Sequence, residues 1–421
     1  MSGYELAEAT SPWLGAVPSH WRVSRFGYEA SVNGGQVDPR DEPWASMVLV
    51  APNHIESGTG RILGRETASE QGADSGKYLA RAGQILYSKI RPALNKVTIA
   101  VEDCLCSADM YAMSFRSSVV PRYALYYMLA RPFNSFATVT SMRVKMPKIN
   151  REELAACPWL VPPSDEQRAI ANYLDRETAR IDTLIEEQQR LIEMLRERRL
   201  AAVEAALSDV QTSGPRLKHI IQSVRQGWSP QCYAWSADGV EKWAVLKTGA
   251  ANGGRFRPTE NKELPSEASP RPDIVVRRGD LIVSRANTRD LVGSAAVVAG
   301  DFPRLMLCDK LYAFTLDEHQ ALPRFVATVL GSRRWRDLIE LEATGASQSM
   351  LNVSQADIVN LPMPVPPVEE QRRIVTRLDE QTTKIDRLIV EAERFIELAR
   401  ERRSALITAA VTGQIDLRQA V

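Results

Sequence analysis

The stretch Val161-Pro162-Pro163-Ser164-Asp165-Glu166-Gln167-Arg168 returns as Val365-Pro366-Pro367-Val368-Glu369-Glu370-Gln371-Arg372. The likeness continues beyond these openings, with 25 of 46 paired positions identical between residues 161–206 and 365–410. A duplication offset by 204 residues therefore organises the chain. Consecutive prolines block helix upstream of each copy. Ser164 and Gln167 have the spacing of a capping box, whereas Val368 in the second copy cannot cap. Past these openings neither copy contains Pro or Gly for about forty residues, and both read as long helices.

Apolar residues recur at Ile170, Leu174, Ile181, Leu184/Ile185, Leu191/Ile192 and Leu195, and again at Ile374, Leu378, Ile385, Leu388/Ile389, Phe395/Ile396 and Leu406. That is a heptad-like seam. Each helix is expected to run roughly 60 Å, and a narrow seam of that length needs a partner helix. The two copies are expected to pack on each other, antiparallel if the globular blocks before them sit at opposite ends. Two independent amphipathic surface helices are the blander alternative.

The fold class expected is mixed α/β, with two globular blocks separated by the two long helices. The domains expected are 1–160, a first helix over 161–211, a second block over 212–364, and a second helix with its tail over 365–421. Charge is nearly balanced, with 53 Lys and Arg against 52 Asp and Glu. By segment it is uneven: 17 basic against 15 acidic residues over 1–160, 7 against 11 over 161–213, 19 against 16 over 214–364, and 10 against 10 after that. Such a balance excludes a uniformly positive, histone-like surface and permits a local DNA-binding face. Five cysteines, Cys104, Cys106, Cys157, Cys232 and Cys308, fit reduced thiols in a cytosol. With neither a signal peptide pattern nor an 18-residue apolar run, a soluble cytoplasmic protein is expected.

The two blocks share a plan. Trp44 to Val50 reads as a short strand before the polar turn at Asn53 to Arg61, and Trp243 to Lys247 before Thr248 to Gly254 is its counterpart. Gly83 to Lys89 matches Gly279 to Arg285, a turn feeding an apolar strand that ends in Ser plus a base. Polar basic loops follow at equivalent places, Ile90 to Lys96 and Ala286 to Arg289. Cys106 to Phe115 parallels Leu307 to Leu316, sharing Tyr111-Ala112 and Tyr312-Ala313. Short helices open at Pro121 and Pro323, and each leads to a segment before the prolines, Ser141 to Asn150 against Gly345 to Ser354. The Trp- and Pro-rich entry at residues 12–21 is expected to plug the edge of the first block.

Catalytic signatures are missing. Gly76-Lys77 is followed by Tyr78 and lacks the upstream glycine of a phosphate-binding loop, no Asn/Asp-Pro-Pro-aromatic methyltransferase motif occurs, and His20, His54, His219 and His319 are scattered. Glu260 and Lys262 have nuclease-like spacing, but without an upstream Pro-Asp pair they read as surface charges. Binding and spacing are expected rather than catalysis.

With these residues in hand, the chain resembles the specificity subunit of type I restriction-modification systems. The resemblance rests on the Pro-Pro-x-x-Glu-Gln-Arg entries at 162–168 and 366–372, the Leu-Asp and Ile-Asp pairs at 174/175, 181/182, 378/379 and 385/386, and Thr412 to Asp416. Gly83 to Lys96, Cys106 to Tyr111, Met146 to Asn150, Gly279 to Ser284 and Thr344 to Leu351 add to it. It implies two target recognition domains, each reading one half of a bipartite, asymmetric site in double-stranded DNA. It further implies an antiparallel coiled coil that sets the gap and docks two methyltransferase subunits, with two restriction subunits as further partners. No cofactor would be bound by this chain, since S-adenosylmethionine, ATP and Mg²⁺ would belong to the partner subunits. The first block's Pro147-Lys148-Ile149-Asn150 is replaced by Leu351-Asn352-Val353-Ser354 in the second.

Phosphate contacts call for Arg and Lys, and base edges for Asn, Gln, Ser or Arg. The candidate DNA contacts are Lys89, Arg91, Asn95, Lys96, Arg143, Lys145 and Lys148 in the first block. In the second they are Lys247, Asn252, Arg255, Arg285, Asn287, Gln348, Ser349 and Asn352. A DNA-free coiled-coil scaffold and a stand-alone enzyme are the competing classes, the first disfavoured by the recurring basic loops and the second by the missing motifs.

Overall fold

The structure, a computed structural model, describes residues 4–9, 11–142, 147–211, 213–345 and 350–417. Its architecture is mixed α/β. The chain divides into two compact units, one formed by Met1–Gln189 with Glu393–Val421 and the other by Arg190–Ala392. The repeated stretches form two 44-residue helices, Ser164–Leu207 and Val368–Val411, and each helix passes from one unit into the other.

Within each unit the same sheet is built. In the first, a four-stranded antiparallel sheet runs in the order Ala30–Val32, Met110–Phe115, Ile85–Ser88, Val97–Ile99. In the second, the order is Ile221–Gln226, Leu311–Leu316, Leu281–Ser284, Ala295–Val297. A smaller sheet in each unit contains one parallel pair, Leu49–Val50 with Cys104–Cys106 and Ala244–Leu246 with Leu305–Met306. The strand expected over Trp44 to Val50 is shorter than its counterpart, because Trp44–Ser46 turns as a 3-10 segment after Pro43. Two helices follow the sheets, Pro121–Leu129 and Arg131–Thr140, matched by Pro323–Gly331 and Arg333–Glu342. They cover aromatic cores centred on Trp159, Tyr127 and Phe133 in the first unit and on Phe314, Phe325 and Trp335 in the second. The entry segment folds into a hairpin, Leu6–Glu8 with Ala16–Pro18. It then delivers Tyr4, His20 and Trp21 to the Glu166 carboxylate at 3.0, 2.8 and 2.9 Å.

Both long helices begin with a buried glutamine that binds the preceding block. The Gln167 amide oxygen accepts from the Val120 N–H (2.7 Å), and its NH₂ donates to the Ser118 and Pro162 carbonyls (2.8 Å each). Gln371 repeats this with the Leu322 N–H and the Gln320 and Pro366 carbonyls, each at 2.8 Å. Gln167 thus closes no capping box with Ser164. Its side chain is spent on the block, which is why the second helix starts in the same way without a capping residue.

Two turns further on, Asp175 meets Arg122 and Tyr126, and Asp379 meets Arg324. Another two turns on, the helices meet each other. In the first unit Arg403 of the second helix forks onto Asp182 of the first at 2.9 and 3.3 Å, while the Val411 carbonyl lies 3.5 Å from the Tyr123 hydroxyl that also reaches Leu160. Residues 160 to 182 therefore run against 411 to 403. In the second unit Arg199 reaches Asp386 at 2.9 Å, and Leu207 shares a core with Ile374. The pairing is antiparallel in each unit.

Burial along the helices follows alternating steps of four and three, as in a left-handed coiled coil. Gln167, Ala171, Leu174, Thr178, Ile181, Ile185, Ile192 and Leu195 are buried on the first helix; Gln371, Leu378, Thr382, Ile385, Ala392, Ile396, Arg403, Ile407 and Ala410 are buried on the second. Ile170 is buried, and Ile374, Ile389 and Leu406 are partly buried. Leu184 and Leu388 correct the expected seam: they are 45% and 41% exposed. At a 3.5-residue period the step from Ile181 lands on Ile185, leaving Leu184 on the outer side.

Removing a clamp strands a buried N–H and two carbonyls, each costing about 1–3 kcal/mol. Gln167→Ala is expected to lower the unfolding free energy of the first unit by roughly 3 kcal/mol, and Gln371→Ala to do the same to the second, read from denaturant melts. Identical melts for variant and parent would show that the clamps contribute nothing. A pH effect is expected at Glu29, buried beneath Arg22. The Arg22 guanidinium holds its carboxyl below the usual range, helped by Ser24 and Ser118 and opposed by burial. A depressed folded pKa stabilises above the unfolded value of about 4.3, and that contribution is lost as pH falls. Glu29→Gln should flatten the acid limb of the stability curve while lowering its neutral plateau.

Candidate nucleic-acid interface

In the first unit the strand Ile85–Ser88 delivers the chain to Lys89, and this loop is stitched to the segment before the first long helix. The Lys89 N–H donates to the Asp109 carbonyl (3.0 Å), the Ile149 N–H to the Lys89 carbonyl (3.0 Å), and the Arg91 N–H to the Pro147 carbonyl (2.8 Å). Ile90 bridges Lys148. Around the resulting edge the cations gather on one ring: Lys89 Nζ lies 5.4 Å and the Arg151 guanidinium 5.7 Å from the centroid of Tyr111. The tyrosine hydroxyl donates to the Ile149 carbonyl at 3.2 Å, and Asn150 caps the short helix Arg151–Ala155 through a reciprocal box with Glu153.

Burial lowers the Lys89 ammonium pKa, and the charges of Lys148 and Arg151 lower it further, with Asp109 opposing. A cluster of cations that disfavour one another is relieved by an anion. A phosphate oxygen would supply the missing charge. Beyond Lys89, Arg91 and Asn95 adopt left-handed backbone conformations (φ 47° and 45°) on either side of the turn Pro92–Leu94. For residues other than glycine such a conformation is sparsely populated and marks sites held by their surroundings.

The second unit repeats the stitching with other side chains. The Arg285 N–H donates to the Lys310 carbonyl (3.0 Å) and the Val353 N–H to the Arg285 carbonyl (2.8 Å). Ala286–Asn287 pairs with Leu351–Asn352, and Thr344 and Asn352 exchange backbone bonds. The Arg285 guanidinium lies 5.7 Å from the Tyr312 ring centroid, as Lys89 does over Tyr111. Ser354 caps Gln355–Val359 through the same reciprocal box. Asn352 and Gln355 stand where Lys148 and Arg151 stand in the first unit, and Lys310 stands where Asp109 does.

The candidates sort accordingly. Lys89, Arg91 and Lys148 come together, as do Asn252, Arg285, Asn287 and Asn352, with the Asn287 amide donating to Asn252 Oδ1 at 3.1 Å. Arg255 is exposed, and Lys247 lies 3.9 Å from Glu260. Asn95 is a correction: it is buried, and its amide donates to the Leu129 carbonyl, holding the turn from inside. Lys96 is likewise turned inward, donating to the Pro52 carbonyl at 2.6 Å. Arg143, Lys145, Gln348 and Ser349 lie outside the described residues. Tyr111, Arg151, Lys310 and Tyr312 join the edge without being among the candidates; the repeated Tyr-Ala is a sequence signal for the two tyrosines, and none marks Arg151 or Lys310.

No protein-family model matches the chain. Over 171 residues it is 39% identical to the type I restriction enzyme EcoDI specificity subunit of Escherichia coli, covering 41% of this chain and 38% of that one. Over 173 residues it is 30% identical to the EcoEI specificity subunit of the same organism, covering 41% and 29%. The matched stretch thus spans well under half the length of these curated relatives. Among solved structures, a chain from work on complex assembly and conformational transition of the type I R-M system superposes with a TM-score of 0.60 at 19% identity, covering 95% of this chain and 99% of that one. At that identity the likeness establishes the fold. Over the matched stretch the chain is similar in sequence to type I restriction enzyme specificity subunits, and over nearly its whole length it is similar in fold to a chain of the type I R-M system.

Proposed function

We propose that this chain is the DNA sequence-recognition subunit of a type I restriction-modification complex. Each unit reads one half of a bipartite, asymmetric site in double-stranded DNA, and the paired long helices dock methyltransferase subunits. Two methyltransferase subunits match the duplicated docking surface, and restriction subunits join the assembly. The chemistry belongs to those partners, which bring S-adenosylmethionine for methyl transfer and ATP with Mg²⁺ for cleavage. This chain supplies recognition and geometry and works in the cytoplasm. Among the described residues no helix is long and apolar enough to cross a membrane.

One observation carries the reading: the same stitched edge, with a cation over a tyrosine, occurs once in each unit and bears different polar side chains. Lys148 and Arg151 in the first unit favour phosphates and guanine edges, whereas Asn352 and Gln355 in the second offer the amides that pair with adenine. One scaffold with two polar faces suits a site whose halves differ. Lys89 and Arg151 share the face of Tyr111 and Lys148 adds to the positive charge felt by Lys89, an arrangement that suits an anionic partner rather than a DNA-free scaffold.

Co-expression with its methyltransferase subunits is expected to give adenine methylation at one bipartite motif, seen by methylome sequencing, while the isolated chain methylates nothing. Methyl transfer by the isolated chain, or a motif with a single contiguous half, would overturn the proposal. In the assembled complex, Lys89→Ala and Arg285→Ala should each weaken duplex binding and reduce the slope of log affinity against log salt by about 1. An unchanged slope in both would place phosphate contact elsewhere.

A further inference from the structure

Arg403 does more than pair the helices. Its guanidinium, 8% exposed, forks onto Asp182 and also donates to the Gly58 and Thr59 carbonyls at 3.1 and 3.2 Å. That loop is tied in turn to the candidate DNA edge. The Gly58 N–H donates to the Asn95 carbonyl (3.0 Å), the Thr98 hydroxyl to the Gly60 carbonyl (2.7 Å), and Asn95 closes the turn that starts at Arg91. In the first unit an unbroken run of hydrogen bonds thus leads from the helix pair to the loop that carries Arg91.

The second unit makes the same link with a different arginine. Arg324 pairs with Asp379 (2.9 Å) and donates to the Gly254 carbonyl (3.3 Å). Gly254, like Gly58, has a left-handed backbone (φ 73° and 72°), and the guanidinium of Arg199 packs beside it. Two residues earlier, Asn252 Oδ1 accepts from Asn287. In both units an arginine paired with a long-helix aspartate donates to a glycine loop, to two carbonyls in the first unit and one in the second, and that loop touches the candidate DNA edge.

We infer that Arg403 and Arg324 are positioning residues for sequence discrimination, each aligning the reading edge of its own unit on the long helices. This rests on the DNA-recognition reading above. The guanidinium is required because its fork satisfies a carboxylate and loop carbonyls at once, whereas a lysine ammonium keeps the charge but serves one partner at a time.

The test uses the complex with methyltransferase subunits. Arg403→Lys is expected to relax base preference in one half of the methylated motif by about tenfold at a position, leaving the other half intact, and Arg324→Lys should relax only the other half. Asp182→Asn, which weakens the helix contact but leaves the loop carbonyls gripped, should lower thermal stability without changing the motif. Amide exchange on the full chain reports independently of activity: residues 52–61 should exchange faster in Arg403→Lys and residues 248–257 faster in Arg324→Lys. Unchanged motifs in both lysine variants, relaxation of both halves by either one, relaxation by Asp182→Asn equal to that by Arg403→Lys, or unchanged exchange would each overturn the inference. A parent complex with no bipartite motif would instead remove the recognition reading itself.

Discussion

Each unit is held by a charged contact that is, by sequence, the same contact. Asp182 with Arg403 and Arg199 with Asp386 are exchanged by the repeat offset, which carries 182 to 386 and 199 to 403. Antiparallel pairing of two copies makes this possible, since each unit then takes its aspartate from one copy and its arginine from the other. The rest is layered on that pairing. The glutamine clamps fix each block to the start of a helix, Asp175 and Asp379 fix the first helix after each sheet, and the second helix arrives against a face already oriented.

The energetics explain why an arginine occupies a seam position. A buried Leu there would contribute about 1.5–3 kcal/mol, more than an ion pair with a partly exposed partner supplies. An arginine at such a position trades stability for selection among alignments. A heptad seam of Leu and Ile tolerates a slip of seven residues, and Asp175 lies seven residues before Asp182. The slip would bring Arg403 to a carboxylate already engaged by Arg122 and Tyr126, while Thr178 and Thr382, buried in the seam, would lose their places. Register is therefore set by several polar partners together, each of them weak alone.

The long helices were legible because length without Pro or Gly and a repeated apolar seam leave few other outcomes. What the seam does in detail was not, since an apolar count cannot see Gln167, Thr178 or Arg403, and Leu184 differs from Ile185 only by the coiled-coil period. At the site, Lys89, Arg91 and Lys148 come together because the strand end and the Pro147-Lys148-Ile149-Asn150 segment are stitched along one edge. Asn95 and Lys96 were misleading for a local reason: the left-handed backbone at Arg91 and Asn95 turns the following side chains inward, and nothing in residue type announces that direction. Tyr111 and Tyr312, marked in the sequence only by the shared Tyr-Ala, are largely buried, and the cations over their rings are set by the fold.

Keeping the stitching in the backbone frees the side chains on the candidate edge. The bonds that join Lys89 to Asp109 and Ile149, and Arg285 to Lys310 and Val353, are main chain to main chain, so they survive any substitution except proline. The caps that follow need only a short acceptor, Asn150 in one unit and Ser354 in the other. Lys148 can therefore become Asn352, Arg151 can become Gln355, and Asp109 can become Lys310 without cost to the frame. A surface built in this way can change its chemistry one residue at a time, and the two units of this chain carry different side chains on the same frame.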